Sequence, residues 1–214
     1  MPEEGTPPGF RSRVAEWSRL IIAAVALSFL LRVSVVEAYV IPSGSMEETI
    51  LTGDTLLGNK FIYGARIPLV GIRLPALREP RPGDVVVFNH PVEEGRLVKR
   101  VVATAGQRVE IRDKQVYVDG RMAPLPEAGL HLDPRTLPPG VSRRDNAGPF
   151  TVPEGHLFVM GDNRDDSLDS RSWGFLDREE VLARAMFVLY SYEHDPTEPF
   201  WQRIRWGRIF HDID

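Results

Sequence analysis

Hydrophobic and polar positions divide this chain into two unlike parts. One long apolar run comes first, Leu20 to Leu31, interrupted only by Ser28. After it the apolar residues come in short bursts separated by Gly, Pro and Asp, the pattern of strands bounded by turns rather than of a helical bundle. Tyr39 to Ile50 reads as strand, turn, strand, and Gly53-Asp54 as a turn. Thr55-Leu56-Leu57 and Lys60-Phe61-Ile62-Tyr63 read as short strands, and 64–83 as turn-rich. Val85-Val86-Val87-Phe88 is a continuous apolar strand, the mark of burial on both faces. The stretch 96–104 alternates in part, and 108–111 with 115–118 predict a hairpin turning at Asp113-Lys114. The Pro/Gly-rich residues 121–150 predict a long loop or an insertion. Strand character returns over 151–160 and 183–192, with a polar loop over 161–177 and a helical turn over 178–182 between them. The tail 193–214 mixes aromatic with basic residues, which suits an amphipathic helix, a closing strand or an interfacial contact.

The long run supports three readings. Arg11, Arg13 and Arg19 precede it and Arg32 follows. A helix crossing hydrocarbon needs about 20 residues, which Trp17 to Val36 supplies if Trp17 lies at the interface and Arg32 snorkels. That is a transmembrane anchor. The second reading is a cleaved secretory signal ending at Val36-Glu37-Ala38. The third, a buried soluble helix, suits a run apolar on every side least well. The first two place the remainder outside the cytoplasm, because the Arg-rich flank stays inside. The expected organisation is a disordered N-terminus at 1–16, an anchor at 17–38 and a catalytic domain at 39–214 with its insertion at 121–150.

Composition narrows the chemistry. Among 214 residues there is no cysteine, which removes thiol nucleophiles, disulfides and thiolate metal sites. A net charge of -4 gives no case for nucleic-acid binding. The acids of Gly161-Asp-Asn-Arg-Asp-Asp-Ser-Leu-Asp-Ser-Arg-Ser-Trp-Gly174 do not follow a calcium-loop order, since positions six and twelve from Asp162 are Ser167 and Trp173. Acids and arginines mixed this closely predict instead an ion-pair network stiffening the loop, with a plain solvated turn as the alternative. No metal or organic cofactor is called for.

The candidate nucleophile is Ser45, in Ile41-Pro-Ser-Gly-Ser-Met46. None of the five histidines stands in a triad context, and no Gly-x-Ser-x-Gly elbow occurs. A lysine base is the other route, and there are three lysines, Lys60, Lys99 and Lys114. Lys114 falls in the predicted hairpin turn and Lys60 beside another. Lys99 lies within a strand, sharing a face with Leu97 and Val101 and opposite to Arg100. Burial among apolar neighbours lowers an amine pKa, making Lys99 the candidate for a neutral base acting on Ser45; a strand lysine that snorkels is the alternative.

In order and spacing these segments resemble the bacterial type I signal peptidases, membrane-anchored Ser/Lys proteases. The resemblance runs through the anchor, Pro42-Ser-Gly-Ser-Met46, Arg81-Pro-Gly-Asp-Val-Val-Val-Phe88, Val98-Lys-Arg100 and Gly161 to Phe175. It implies a mainly β, antiparallel-sheet catalytic domain of the signal-peptidase type after one N-terminal transmembrane helix. It implies Ser45 as nucleophile and Lys99 as general base. Ser43, with the Ser45 N–H, would form the oxyanion hole, and Ser167 would orient the lysine. Asp162, Asp169 and Arg171 would brace the loop, and Ile41 and Val98, with Leu97 beside them, would line small S1/S3 pockets. The implied activity is endoproteolytic removal of signal peptides from exported preproteins after Ala-x-Ala, through an acyl-enzyme. The implied partners are signal peptides, membrane lipid and, indirectly, the export machinery. The implied place is the bacterial inner membrane, single-pass, with the catalytic domain outside. Ser45 follows Val36 by nine residues, the depth at which a translocated signal peptide emerges. One departure is visible: the family's proline two residues after the Met is Glu48 here.

Two other readings share parts of this pattern. A self-cleaving Ser/Lys repressor would carry an Ala-Gly site before its serine, but the Ala-Gly pairs here, at 105–106, 128–129 and 147–148, all follow Ser45. A catalytically silent anchored protein that holds signal peptides is the non-enzyme alternative. Against it stands the occupancy of every expected catalytic position.

Overall fold

The computed structural model describes residues 16–25, 28, 35–65, 72, 74–91, 94–124, 131–193, 197 and 199–213. Most of the expected N-terminal tail, the middle of the expected anchor, Pro68 with its neighbours, 125–130 and His194 therefore lie outside the described residues. Among the described residues eleven strands form two antiparallel sheets. The strands are β1 (Val36–Val40), β2 (Asp54–Asn59), β3 (Val85–Asn89), β4 (Arg96–Thr104), β5 (Arg108–Arg112), β6 (Gln115–Val118), β7 (Arg121–Met122), β8 (Ala147–Thr151), β9 (His156–Met160), β10 (Leu176–Asp177) and β11 (Val181–Ser191). The large sheet has the order β1-β2-β11-β3-β4-β9-β10, and the small one β7-β6-β5-β8.

The apolar strand over 85–88 occupies the middle of the large sheet, and its alternation explains why all four residues are buried. Val85 and Val87 pack on one face with Ile41, Met46, Leu56 and Val98. Val86 and Phe88 pack on the other with Val101, Val159 and Leu176. A third cluster, built on Val109, Ile111, Phe158 and Met160, ties the small sheet to β4 and β9. The Pro82-Gly83-Asp84 turn entering β3 is held by the Asp84 carboxylate, which accepts from Tyr63 Oη at 2.8 Å and from both terminal nitrogens of Arg78 at 2.6 and 2.8 Å.

Several elements differ from the sequence expectation. Phe61–Tyr63 is a 3-10 helix rather than a strand. Arg178–Glu180 is the expected helical turn, also 3-10, capped by Asp177. The segment after Val40 forms no second strand before Asp54. It folds instead as turns, with Glu47 N–H on Gly44 C=O at 3.0 Å and Ile50 N–H on Met46 C=O at 2.8 Å. Glu48 has φ +78° in that turn, a value closed to proline, whose ring holds φ near -65°. The substitution at 48 thus goes with the local backbone. The end of the Pro/Gly-rich stretch supplies β8, which pairs with β5. Part of the expected insertion is therefore sheet.

β1 begins at Val36, inside the stretch expected as anchor. Ala38 is opposite Leu57 in the β1–β2 ladder. Cleavage after Ala38 would remove most of an edge strand, so a cleaved signal ending there does not fit this fold. Upstream, 16–25 are helical, and Trp17, Leu20, Ile21, Ile22 and Val25 are exposed. Among the described residues no helix is long and apolar enough to cross a membrane.

Candidate active site

The turn after β1 carries Ser43 and Ser45, and the middle of β4 carries Lys99. Lys99 pairs with Val86 of the central strand, and the next residue, Arg100, pairs with Met160 of β9, so its backbone is fixed within the sheet. Its side chain is 1% exposed. The amine reaches Ser45 and donates to Oγ at 2.5 Å. Ser43 Oγ lies 3.4 Å from Ser45 Oγ. Among the described residues no carboxylate comes within ion-pair distance of this amine, whereas its buried arginine neighbours Arg100 and Arg171 each hold one. Burial pushes the Lys99 amine down to about 8, against the longer-range attraction of Asp169 and Asp162 and with help from the Arg171 charge.

A loop over 161–174 closes over this pair. Arg100, next to Lys99 but on the opposite face of the strand, grips Asp162 through Nε at 2.9 Å and Nη2 at 2.8 Å. Thr49, in the same turn as Ser45, donates its hydroxyl to the same carboxylate at 2.7 Å. Asn163 donates its backbone N–H to the Ser45 carbonyl and its Nδ2 to the Gly44 carbonyl, both at 3.2 Å. Asp169 caps the single-turn helix Ser170–Trp173 and takes two bonds from the Arg171 guanidinium, both at 2.8 Å. Burial drives the Asp169 carboxyl up, but Arg171 and the Gly161 N–H outweigh it and hold it below the usual carboxylate range. The ion-pair network expected of this stretch is thus formed, and it is buried. Single members of such networks are costly to remove because the partner charge is left in low dielectric.

A cavity of about 220 Å³ opens beside the pair, lined by Tyr39, Ile41, Ser43, Met46, Leu97 and Val98 among others. Ser43 and Met46 flank Ser45 in sequence, so the cavity adjoins the hydroxyl. A buried amine hydrogen-bonded to a half-buried serine hydroxyl, next to a small apolar cavity, is an arrangement suited to nucleophilic catalysis.

Comparison with known proteins decides the family. The family described as signal peptidase, peptidase S26, matches residues 14–190. The chain belongs to the S26 signal peptidase family. A signal peptidase I from Pseudomonas aeruginosa is 34% identical over 210 residues, covering 84% of this chain and 73% of that one. One from Rickettsia bellii is 29% identical over 252 residues, covering 95% and 86%. A crystal structure of a signal peptidase I from Enterococcus faecalis aligns with 50% of this chain and 97% of its own, at 28% identity and a TM-score of 0.40. This chain is accordingly a hydrolase, a serine peptidase of the signal-peptidase class.

In this peptidase the sequence-derived candidates converge, with one exception in detail. Ser43, Ser45 and Lys99 meet; Ile41, Leu97 and Val98 line one cavity; Asp162, Asp169 and Arg171 form the closing loop. The Ser167 hydroxyl is buried and close enough to Asp169 to favour its ionised form. It makes no hydrogen bond of good geometry, to Lys99 or otherwise, among the described residues. Sequence reasoning missed Thr49, Asn163, Gly161 and Arg208. Arg208 comes from the tail and donates to the Thr49 carbonyl at 3.0 Å and to buried Asp54 at 2.6 Å, so the tail secures the turn that carries Ser45. A single arginine in an aromatic tail carries no local signal of that contact. Gly161 did carry one, as the residue between a strand and an acidic run.

Proposed function

We propose that this peptidase removes signal peptides from exported preproteins by a Ser45–Lys99 dyad acting through an acyl-enzyme. The observation that carries the reading is the Lys99 amine, buried, without a carboxylate partner and 2.5 Å from Ser45 Oγ. Neutral Lys99 takes the Ser45 proton as Oγ attacks the carbonyl carbon of the scissile bond. The amine then gives that proton to the leaving amino group. Water, activated by the same amine, hydrolyses the ester and frees the serine. Ser43 Oγ and the Ser45 N–H are the oxyanion donors, and a single such donor is worth about 3–4 kcal/mol. Asp162, held by Arg100, and Asp169, held by Arg171, keep the loop in place over the amine.

The substrate binds as an added strand on β1, an edge of the large sheet. Ile41 gives its N–H to Asp54 and takes a bond from Gly53, on the β2 side. Strand alternation then turns the carbonyls of Val40 and Pro42 outward. The cavity lined by Ile41, Leu97 and Val98 accepts small side chains, which is the physical basis for Ala at P1 and P3. The family is membrane-associated in bacteria. The exposed apolar helical residues from Trp17 to Val25 support a single N-terminal anchor in the cell membrane, with the catalytic domain outside and lipid and the export machinery as neighbours.

One experiment tests the reading. The detergent-solubilised protein is given a peptide with an Ala-x-Ala site, and the same peptide with Leu at P1. We expect kcat/KM to rise with pH to a plateau above a midpoint near 8, because the base must lose its proton. We expect the Leu peptide to be cut roughly a hundredfold more slowly. A rate that still rises through pH 10, or equal cutting of both peptides, would sink the proposal.

A further inference from the structure

One buried ion cluster is not used by the chemistry above. It surrounds Asp165, between the loop residues that contact Ser45 and the serine at 167. The Asp165 side chain is only 6% exposed. Its carboxylate accepts from Lys114 Nζ at 2.9 and 3.0 Å and from the Asp133 N–H at 2.8 Å. His131 Nδ1 faces it at 3.3 Å and Arg144 Nε at 3.8 Å. None of these partners belongs to the large sheet. Lys114 is in the β5–β6 turn and the others in the segment 131–145. As a turn residue Lys114 is expected to be solvated; instead its amine is enclosed and also donates to the Asp133 carbonyl at 2.6 Å. Its backbone N–H bonds the Asp145 carbonyl at 2.9 Å. Arg144 links the cluster internally, through Asp133 at 3.0 Å and Asp145 at 2.7 Å.

A second strut runs parallel to the first. Arg171 Nη1 donates to the Arg144 carbonyl at 2.9 Å, while Nε and Nη2 of the same guanidinium hold Asp169. The catalytic loop is therefore gripped from two sides. Asn163 ties it inward to the carbonyls of Gly44 and Ser45, and Asp165 and Arg171 tie it outward to the 131–145 segment.

We propose that Asp165 is a positioning residue: with the Arg171–Arg144 strut, it lets the 131–145 segment hold the catalytic loop down over Lys99. The proposal rests on the Ser45–Lys99 reading. Its physical content is that the loop's height sets the environment of the amine. The groups facing that amine are the Ser45 hydroxyl and, at longer range, the charges of Asp169, Asp162 and Arg171. A loop released at Asp165 admits water and lets Arg171 withdraw. Both changes favour the protonated amine, so the base becomes harder to deprotonate.

The test is the pH profile of kcat/KM on the Ala-x-Ala peptide for the full-length protein in detergent. Asp165→Asn and Lys114→Met are expected to move the midpoint upward by about one pH unit and to lower kcat/KM at pH 7 about tenfold, with the plateau largely kept. Lys114→Arg, which keeps the ion pair, is expected to restore the parent midpoint. His131→Gln removes the imidazole that also faces Asp165 and is expected to leave the limb in place; a limb that disappears with it overturns the assignment. Parent midpoints in folded Asp165→Asn or Lys114→Met, with or without a uniform fall in rate, reduce Asp165 to a structural role and overturn the proposal. If Asp165→Asn does not fold, Lys114→Met decides alone. Ser45→Ala separates the two levels: activity retained there removes the dyad itself, whereas an inactive Ser45→Ala with parent midpoints in the other variants removes only the brace.

Discussion

Lys99→Met is expected to give a protein that is inactive and at the same time more stable than its parent. The two effects share one cause. Folding places the amine at 1% exposure without a carboxylate partner, and burial lowers its pKa from 10.5 to about 8. That depression makes the amine a usable base near neutral pH, where an ordinary lysine is almost wholly protonated. Methionine has a similar length and no proton to exchange, so Ser45 loses its base, and kcat/KM is expected to fall about ten-thousand-fold. The same depression works against the fold. Below about pH 8 the unfolded amine is charged at no cost and the folded one is charged in low dielectric, a difference of about 3 kcal/mol. Between about pH 8 and 10.5 the unfolded chain binds more protons than the folded one, so the penalty shrinks across that window and is gone above 10.5, where both states are neutral. Urea titrations of Lys99→Met and the parent at pH 7 and at pH 11 check this. The variant should be more stable at pH 7 by up to about 3 kcal/mol, with the gap closing at pH 11. A variant less stable at pH 7, or one that still cuts preprotein, contradicts the assignment.

Gly161→Ala carries the second large effect, and it acts on the serine. A Cβ at 161 would lie 2.3 Å from the Ser45 carbonyl oxygen and 2.3 Å from Ser167 Oγ. The first is backbone and cannot swing aside. The Ser45 carbonyl would be pushed off the Asn163 N–H, and the nucleophile's turn would move relative to Lys99. Displacement by about 1 Å is enough to cost a hundredfold in rate. We expect kcat to fall at least about a hundredfold, with some loss of Tm as the loop opens. The discriminating measurement is acylation of Ser45 by a β-lactam-type or peptidic serine inhibitor. Slow labelling in folded Gly161→Ala protein supports the steric account. Labelling at the parent rate would mean that the turn absorbs the methyl.

What was legible along the chain depended on the range of the forces involved. Strand character is local. The run at 85–88 is apolar at four successive positions, and it became the central strand with both faces covered. The β5–β6 hairpin needed only two short apolar runs around Asp113-Lys114. Phe61–Tyr63 misled because aromatic and β-branched residues suit a strand, whereas Tyr63 turns inward to bond Asp84 and the backbone coils to let it. The chain also showed which residues could do chemistry. A protein with no cysteine, no histidine in a triad context and one lysine inside an apolar strand leaves few combinations.

By itself, then, the sequence determined the β-rich architecture and narrowed the candidates for the chemistry to a serine and a lysine, because alternation, turn formers and functional-group inventory are written in neighbouring positions. Only the tertiary structure decided whether those residues meet. Ser45 and Lys99 are 54 positions apart, and their 2.5 Å contact exists because β4 lies beside the central strand while the turn after β1 is held against it. Desolvation of the amine is likewise a property of everything packed around it. So is the height of the catalytic loop, which rests on Arg100 from the sheet and on Lys114 and Arg144 from outside it. Lys114 had looked like a solvated turn residue for the same reason: its partner, Asp165, is 51 positions away.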